Sequence, residues 1–439
     1  MFQKPFFPFI TGTNQENLQG VDKKRFLQKI KILRNLYVYG PTSNAEISRK
    51  LNISLPTSIN LMEELLHSGV VEKKGHGTSI GGRKPVLFGL RNSSFYSLGI
   101  EVSRFKTQMA IYDSNNQISS DTLSFRGDLT QKTEFVEELY LKATHLAETS
   151  SIGLSNLICV GLMMPGLINS QEGRNYTHLD FGSKTITEVL EEKFKRPVFI
   201  ENDAKAMAYS ELRFGKAREK KNVLVIFMEW GLGLGIIMNG KIYRGSLGFA
   251  GELSHIPAVD NKIYCQCGKQ GCLETIASGS AISRMAREGI ISGKMSSLKD
   301  NFGNDSGHIE ISSVVRAANQ GDLFAIGILS EVGMNLGKGL ASLMQLFNPE
   351  MVILSGMVCE AEQYIITPIK QALNVHCMPQ LRENTEVVIS ELGSDYGRIG
   401  AVSMAMEYVF AQPFGIKQAN SGKEGEETIK GYSETSAKR

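Results

Sequence analysis

The feature that most constrains this chain is a long alternation of apolar, β-rich runs with helical stretches, extending from residue 95 to residue 412. Two apolar runs, 95–119 and 222–245, have the pattern of β-hairpins, and the run at 157–169 is typical of a buried strand that ends in a Pro-Gly turn. The stretch 324–347 is typical of a helix. This alternation predicts an α/β fold with its chemistry at the ends of strands.

Length and composition indicate an ordinary globular protein. The 439 residues suggest two or three domains, and 42% of them are hydrophobic. No run approaches the roughly 18 apolar residues of a membrane span, and the N-terminus lacks the pattern of a signal peptide. We therefore expect a cytoplasmic protein. Residues 1–20 are predicted to be a flexible leader, and the polar residues 413–439 a disordered tail.

The basic segment 21–91 has thirteen Lys and Arg residues against five Asp and Glu residues, although the net charge of the whole chain is only +3. Its apolar residues follow helical spacing in three stretches, with a capping-box pattern at Ser43 and Glu46 before the second stretch. A Gly-rich loop between two β-type runs follows. This order predicts a winged helix-turn-helix domain over 21–91, followed by a joint at 90–95 and a second domain over 95–412.

A winged helix-turn-helix binds DNA through the start of its third helix and through its wing. The short polar side chains predicted to reach base edges are Ser54, Thr57, Ser58 and Asn60. The basic residues predicted to meet phosphates or the minor groove are Arg49, Lys50, Lys73, Lys74, Arg83 and Lys84. The alternative is a small helical module that binds protein and carries solvated basic residues.

Three of the six cysteines, Cys265, Cys267 and Cys272, are clustered within eight residues. Three thiolates at this spacing, with His255 ten residues upstream, supply the four tetrahedral ligands that zinc prefers. A full set of four leaves no position for water, so we predict a structural zinc. The alternative is three unligated loop cysteines. Cys159, Cys359 and Cys377 are predicted to be buried thiols.

Five further motifs occur along the chain: "MMPG" (163–166), "ENDA" (201–204), "GLGLG" (231–235), "AGELSH" (250–255) and "CQCGKQGCLET" (265–275). With these motifs in this order, the chain resembles the ROK family of repressors, open reading frames and kinases from about residue 25 to 410. The resemblance implies an actin-like, hexokinase-type ATPase fold of two α/β lobes behind the winged domain. It also implies a zinc site at the positions already identified. The side chains that it places around a bound sugar are Asn202, Asp203, Glu252, His255 and Glu274.

Kinases of this family use the aspartate at the position of Asp203 to take a proton from the sugar, but three departures weaken the nucleotide side of this chain. An Asp-x-Gly-Gly-Thr pattern is replaced at 101–105 by a segment with Glu101, Ser103 and Arg104. The Gly-Thr-Gly motif of the family kinases corresponds to residues 231–233 of this chain, where leucine replaces the threonine. Their Gly-Gly motif corresponds to residues 355–356, where serine replaces the first glycine. Side chains at these positions take space that phosphate needs.

We therefore predict a sugar-responsive transcriptional repressor, acting as a homodimer or homotetramer on operator DNA, with a sugar or sugar phosphate as its effector. The alternatives are an ATP-dependent hexose kinase and a protein-binding module without a small ligand.

Overall fold

The computed structural model describes residues 19–78, 84–301, 309–393 and 395–411, with the backbone alone at residues 300 and 301. The predicted leader before residue 19, Arg83 in the wing and the predicted tail from residue 413 lie outside the described residues.

Residues 20–90 form three helices and a small sheet, which we call the head. Its elements are α1 (Gly20–Tyr39), β1 (Thr42–Ser43), α2 (Asn44–Leu51), α3 (Leu55–His67), β2 (Val71–His76) and β3 (Val86–Leu90). Gly40, with φ of 76°, ends α1, and the predicted capping box of Ser43 and Glu46 begins α2. The strand order β1-β3-β2 places the wing beside α2 and α3.

The first lobe of the body contains a five-stranded sheet with the order β10-β7-β4-β5-β6. The elements up to its last strand are β4 (Tyr96–Val102), β5 (Thr107–Asp113), β6 (Leu123–Phe125), α4 (Lys132–Thr149), β7 (Leu157–Met164), β8 (Ile168–Asn169), β9 (Arg174–Asn175), α5 (Ile186–Phe194) and β10 (Val198–Asn202). The strands β4, β7 and β10 run parallel, so their carboxyl ends meet at one edge.

The second lobe repeats this plan with the strand order β13-β12-β11-β14-β15. Its elements are α6 (Asp203–Phe214), β11 (Val223–Met228), β12 (Leu232–Met238), β13 (Lys241–Ile242), α7 (Glu274–Ala277), α8 (Gly279–Ile291), α9 (Ile311–Asn319), α10 (Leu323–Phe347), β14 (Met351–Ser355), α11 (Gln363–His376), α12 (Pro379–Asn384), β15 (Glu386–Ile389) and α13 (Tyr396–Ala411). The predicted α/β fold of two lobes behind a helical head is confirmed.

The helices α6 and α13 join the lobes. The helix α6 packs on β11 and β12 of the second lobe, whereas α13 packs on α6 and on β4 and β7 of the first lobe. The close approach of α13 requires Gly161 on β7, since a Cβ there would lie 2.5 Å from the Ala401 carbonyl oxygen.

The head shares a hydrophobic core with α13. Phe26, Ile30 and Leu33 of α1 belong to the same buried cluster as Val409 and Phe410. Head and body are thus packed together rather than tethered by a free linker.

Two details differ from the sequence-based expectations or add to them. On α3, Ile59 is 38% exposed, whereas Leu61 is buried. The helix α10 is long and apolar enough by length and composition to cross a membrane, and half of its most apolar window is buried inside the body. The three thiols predicted to be buried, Cys159, Cys359 and Cys377, are buried.

Candidate functional site

The four predicted metal ligands converge. One ligand atom from each of His255, Cys265, Cys267 and Cys272 lies within 4.8 Å of all the others. Cys267 Sγ lies 3.6 Å from Cys272 Sγ, and Cys265 Sγ lies 3.4 Å from His255 Nδ1. Tetrahedral zinc, with bonds of about 2.3 Å to sulfur and about 2.0 Å to nitrogen, separates its ligands by about 3.8 and 3.5 Å. The cluster therefore fits a metal ion of this size.

The loop that carries the cysteines is built by two glycines. Gly268 and Gly271 both have positive φ, 84° and 74°, and Cys265 N donates to the Lys269 carbonyl oxygen at 2.8 Å. This tight turn returns the chain so that Cys272 comes back to Cys265.

Asn202 and Asp203 lie where β10 becomes α6. Asn202 caps α6, since its Oδ1 accepts from Lys205 N at 3.3 Å, and its Nδ2 donates to the Gly166 carbonyl oxygen at 3.3 Å. Asp203 Oδ1 accepts from Ala204 N at 2.8 Å. Burial raises the pKa of Asp203, while the backbone donors and Lys205 act in the opposite direction. Both side chains are fixed at the carboxyl end of a strand, as expected of a ligand site.

Glu252 and Glu274 approach this point from the second lobe. Glu252 Oε2 lies 3.9 Å from His255 Nε2, and Glu274 Oε2 lies 4.0 Å from His255 Nδ1. Burial raises the pKa of Glu252, Lys205 and His255 lower it, and the charges of Asp203 and Glu274 raise it further. The imidazole can therefore offer Nδ1 to a metal and leave Nε2 facing Glu252, which is compatible with both roles predicted for His255.

Sequence reasoning missed Lys205, which lies two residues after Asp203 and is only 3% exposed. It also missed Arg244, whose Nη2 lies 2.9 Å from the buried Glu201 Oε2 across the two lobes. A basic residue in the "ENDA" helix was the available signal for Lys205. No local signal pointed to Arg244, because its partner lies 43 residues away.

Glu101, at the carboxyl end of the neighbouring parallel strand β4, is paired within the protein. Arg398 Nη1 lies 3.1 Å from Glu101 Oε2, and the Arg398 side chain has no exposed surface. Arg398 also contacts Asp395 and donates from Nε to the Tyr112 hydroxyl at 3.3 Å. Burial raises the pKa of Glu101, and the guanidinium opposes that shift. This carboxylate is therefore neutralised by a protein cation.

Three side chains from the two lobes contact one another, and we call them the cross-cleft cluster. They are Arg104 and Phe105 from the β4–β5 turn and Trp230 from the β11–β12 turn. The rings of Phe105 and Trp230 lie edge to face with centroids 5.0 Å apart, and the Arg104 guanidinium carbon lies 5.0 Å from the Trp230 centroid. Just before Trp230, burial raises the pKa of Glu229 to about 7, and the charges of Glu101 and Asp203 add to that rise. The β4–β5 and β11–β12 turns of the two lobes thus contact each other.

The start of α3 is exposed, with one exception. Ser54, Thr57 and Asn60 are at least partly exposed, and Ser54 accepts from Thr57 N at 3.2 Å as the helix cap. Ser58 has no exposed surface and donates to Asn44 Oδ1 at 3.1 Å. The prediction that Ser58 reaches a base edge is therefore wrong for this conformation, because the side chain ties α3 to α2.

The predicted phosphate-binding residues are all exposed where the structure describes them: Arg49, Lys50, Lys73, Lys74 and Lys84. Lys74 Nζ forms an ion pair with Glu72 Oε1 at 2.6 Å, and Lys50 Nζ lies 4.2 Å from the Tyr39 ring centroid.

Polar contacts add to the shared core between head and body. The buried Tyr37 hydroxyl donates to Asn116 Oδ1 at 2.6 Å, and Arg213 of α6 donates to the Tyr37 carbonyl oxygen at 3.0 Å. Arg213 also lies 3.3 Å from Glu407 of α13. The helix that begins at Asp203 therefore ends against the head.

The fold and the cleft define a two-lobed, hexokinase-type body that carries a winged head. The model of the ROK family matches residues 97–408, and the chain belongs to that family.

The individual relatives include a repressor, a kinase and a solved transcriptional regulator. The N-acetylglucosamine repressor of Escherichia coli O6:H1 is 27% identical over 402 residues, which cover 90% of this chain and 97% of the repressor. The glucokinase of Halalkalibacterium halodurans is 35% identical over 277 residues, which cover 62% of this chain and 81% of the kinase. The crystal structure of a ROK family transcriptional regulator, described as a homologue of the Escherichia coli MLC protein, has a TM-score of 0.72 at 23% identity. It covers 89% of this chain and 98% of the regulator, and at this identity it shows the fold.

Proposed function

We propose that this protein is a sugar-responsive transcriptional regulator that acts as a repressor. The observation that carries the proposal is a difference between the positions that the family resemblance assigns to sugar and to nucleotide. The sugar positions keep their polar side chains, whereas at the nucleotide positions Glu101 is paired with Arg398 and the side chains of the cross-cleft cluster contact one another. The match to a repressor along 90% of the chain, head included, supports the same conclusion.

The effector in this proposal is a sugar or sugar phosphate held by Asn202, Asp203, Glu252, His255 and Glu274. Carboxylates and amides accept from and donate to vicinal hydroxyls, and a pocket of this kind discriminates against ligands that lack them. The similarity to an N-acetylglucosamine repressor and to a glucokinase supports a carbohydrate.

The proposed metal is zinc, bound by His255, Cys265, Cys267 and Cys272. Four protein ligands leave no open position, so the ion would stabilise the loop rather than take part in a reaction. Its contribution to the sugar site is geometric, because the same loop positions Glu252 and Glu274.

The head would bind operator DNA through Ser54, Thr57 and Asn60 in the major groove, with Arg49, Lys50, Lys73 and Lys74 on phosphates and Arg83 and Lys84 at the wing. A homodimer or homotetramer presents two heads to two half-sites, about 34–36 Å apart or a multiple of that. Because α6 runs from the sugar pocket to Tyr37 of the head, closure of the lobes around a sugar would change the spacing of the heads and lower DNA affinity.

The test starts with a duplex that the protein selects from a random pool. Binding is followed by fluorescence anisotropy over a series of KCl concentrations. The variant Arg83→Ala/Lys84→Ala is expected to reduce the slope of log K against log [KCl] by about 2, because each phosphate contact contributes about 0.9. The matched control is Lys294→Ala/Lys370→Ala, which removes two exposed lysines of the second lobe. Failure to select any sequence would reject the proposal, and an unchanged slope would reject the wing assignment.

A sugar kinase is the second candidate, and the 35% identity to a glucokinase favours it. It predicts ATP-dependent phosphorylation of a hexose, with Asp203 as the base, and loss of turnover in Asp203→Asn. An ADP-coupled assay over a sugar panel decides between the two. Turnover at about 1–100 per second would establish a kinase, whereas we expect none above background.

A further inference from the structure

We propose that Lys205 is a ligand-binding residue of the sugar pocket, where its ammonium group donates to a hydroxyl of an uncharged sugar. The inference rests on the proposed sugar site and adds a residue and a ligand class to it.

The first observation is the position of Lys205. It is the third residue of α6, in the helical turn that Asn202 caps and Asp203 begins. Burial lowers the pKa of Lys205, and the carboxylates that oppose this shift are Glu201, Glu252 and Asp203. Because only 3% of Lys205 is exposed, its side chain lies inside the protein near these carboxylates and not along the outside of the helix.

The second observation is that its ammonium group has no partner among the described residues. Lys205 is 97% buried, yet no hydrogen bond or ion pair of its side chain occurs within the part of the chain that the structure describes. The nitrogen keeps some accessible surface, since it is not one of the fully buried polar atoms that lack a partner among the described residues. A buried cation without an acceptor is costly, and a ligand oxygen in the cleft would remove that cost.

The third observation concerns the ligand class. Glu201 is occupied by Arg244, through two contacts of 2.9 and 3.0 Å, and by Ser170. Lys205 therefore faces Asp203 and Glu252, one cation against two carboxylates. A hydroxyl can accept from the ammonium and donate to a carboxylate at the same time. A phosphate has no such donor and would face both acids, so the pocket fits an unphosphorylated sugar.

The experiment is isothermal titration of the full chain with D-glucose, N-acetyl-D-glucosamine, D-xylose and the 6-phosphates of the two hexoses. With the neutral sugar that the wild type binds most tightly, Lys205→Met is expected to lower affinity roughly 10- to 100-fold, the value of a charged hydrogen bond. The control Lys294→Met removes an exposed lysine of the second lobe and is expected to leave affinity unchanged.

Thermal unfolding without sugar separates ligand contact from a structural role. A contact role leaves the unfolding midpoint of Lys205→Met within a few degrees of wild type. If the variant does not fold, Lys205→Gln, which is one bond shorter but keeps an uncharged NH2 donor, is titrated instead. An affinity within threefold of wild type overturns the role of Lys205 while the sugar site stands. Tighter binding of a 6-phosphate than of its parent sugar overturns the ligand class. If no compound binds the wild type, the proposed sugar site fails and this inference fails with it.

Discussion

The buried pair between Arg398 and Glu101 makes the sharpest prediction about the nucleotide end. Replacing Arg398 by Met leaves Glu101 buried without its cation, and Asp395 and Tyr112 also lose a partner. Loss of one member of a buried ion pair costs about 3–5 kcal/mol. Glu101 is 19% exposed and Asp395 is 44% exposed at the side chain, so we expect the lower end, about 3 kcal/mol.

The assay is unfolding in urea followed by the fluorescence of Trp230, the one tryptophan of the chain. Glu101→Gln should cost less than Arg398→Met, because Arg398 keeps two other partners. The double variant should cost less than the sum of the two single variants, since it leaves no unpaired carboxylate. Arg287→Met, an exposed change on α8, is the control and should have little effect.

The pH dependence of this loss follows from the pKa of Glu101. Without Arg398, the folded-state pKa of Glu101 is raised further above its unfolded value of 4.5. The cost is then fully present above the raised folded-state pKa and disappears as the pH falls toward 4.5, where both states are protonated. A cost below about 1 kcal/mol at pH 8, or additive single costs, would refute the idea that Arg398 neutralises Glu101.

Three further predictions concern the metal cluster, the head and the cleft. Cys267→Ser should lower the bound zinc measured by mass spectrometry of the native protein to well below one per chain and reduce the thermal midpoint; full zinc occupancy would remove Cys267 from the ligand set. Tyr37→Phe deletes the hydroxyl that donates to Asn116, and we expect it to destabilise the folded protein by about 1–2 kcal/mol. We also expect it to weaken the effect of sugar on DNA affinity, measured by fluorescence anisotropy. An unchanged effect of sugar would show that this contact does not couple sugar binding to DNA binding. Glu229 has a folded-state pKa of about 7 and an unfolded-state pKa of 4.5, so the wild-type protein loses stability as the pH rises from 4.5 to 7. Glu229→Gln should therefore be more stable than wild type above pH 7 and equally stable below pH 4.5. Equal stability of the two proteins at pH 8 would contradict this.

The local elements were largely readable from the sequence because their signals are local. A capping box needs only Ser43 and Glu46 three residues apart, and a zinc cluster needs cysteines at close spacing with glycines between them. The prediction that failed inside the head was Ser58, since the packing of α3 against α2 decides which polar side chain faces inward.

The sequence by itself determined the class of fold, the four convergent ligands and the loss of glycines at the nucleotide end, since each depends on residue types at short spacing. Only the tertiary structure decided what replaced the lost glycines. The partners of Glu101 and Arg104 come from positions 297 and about 126 residues away, and periodicity carries no information on pairs so distant. The same holds for Lys205, because its lack of a partner is a property of the whole pocket. The role of a charged side chain can be inferred only once its environment in the folded protein is known.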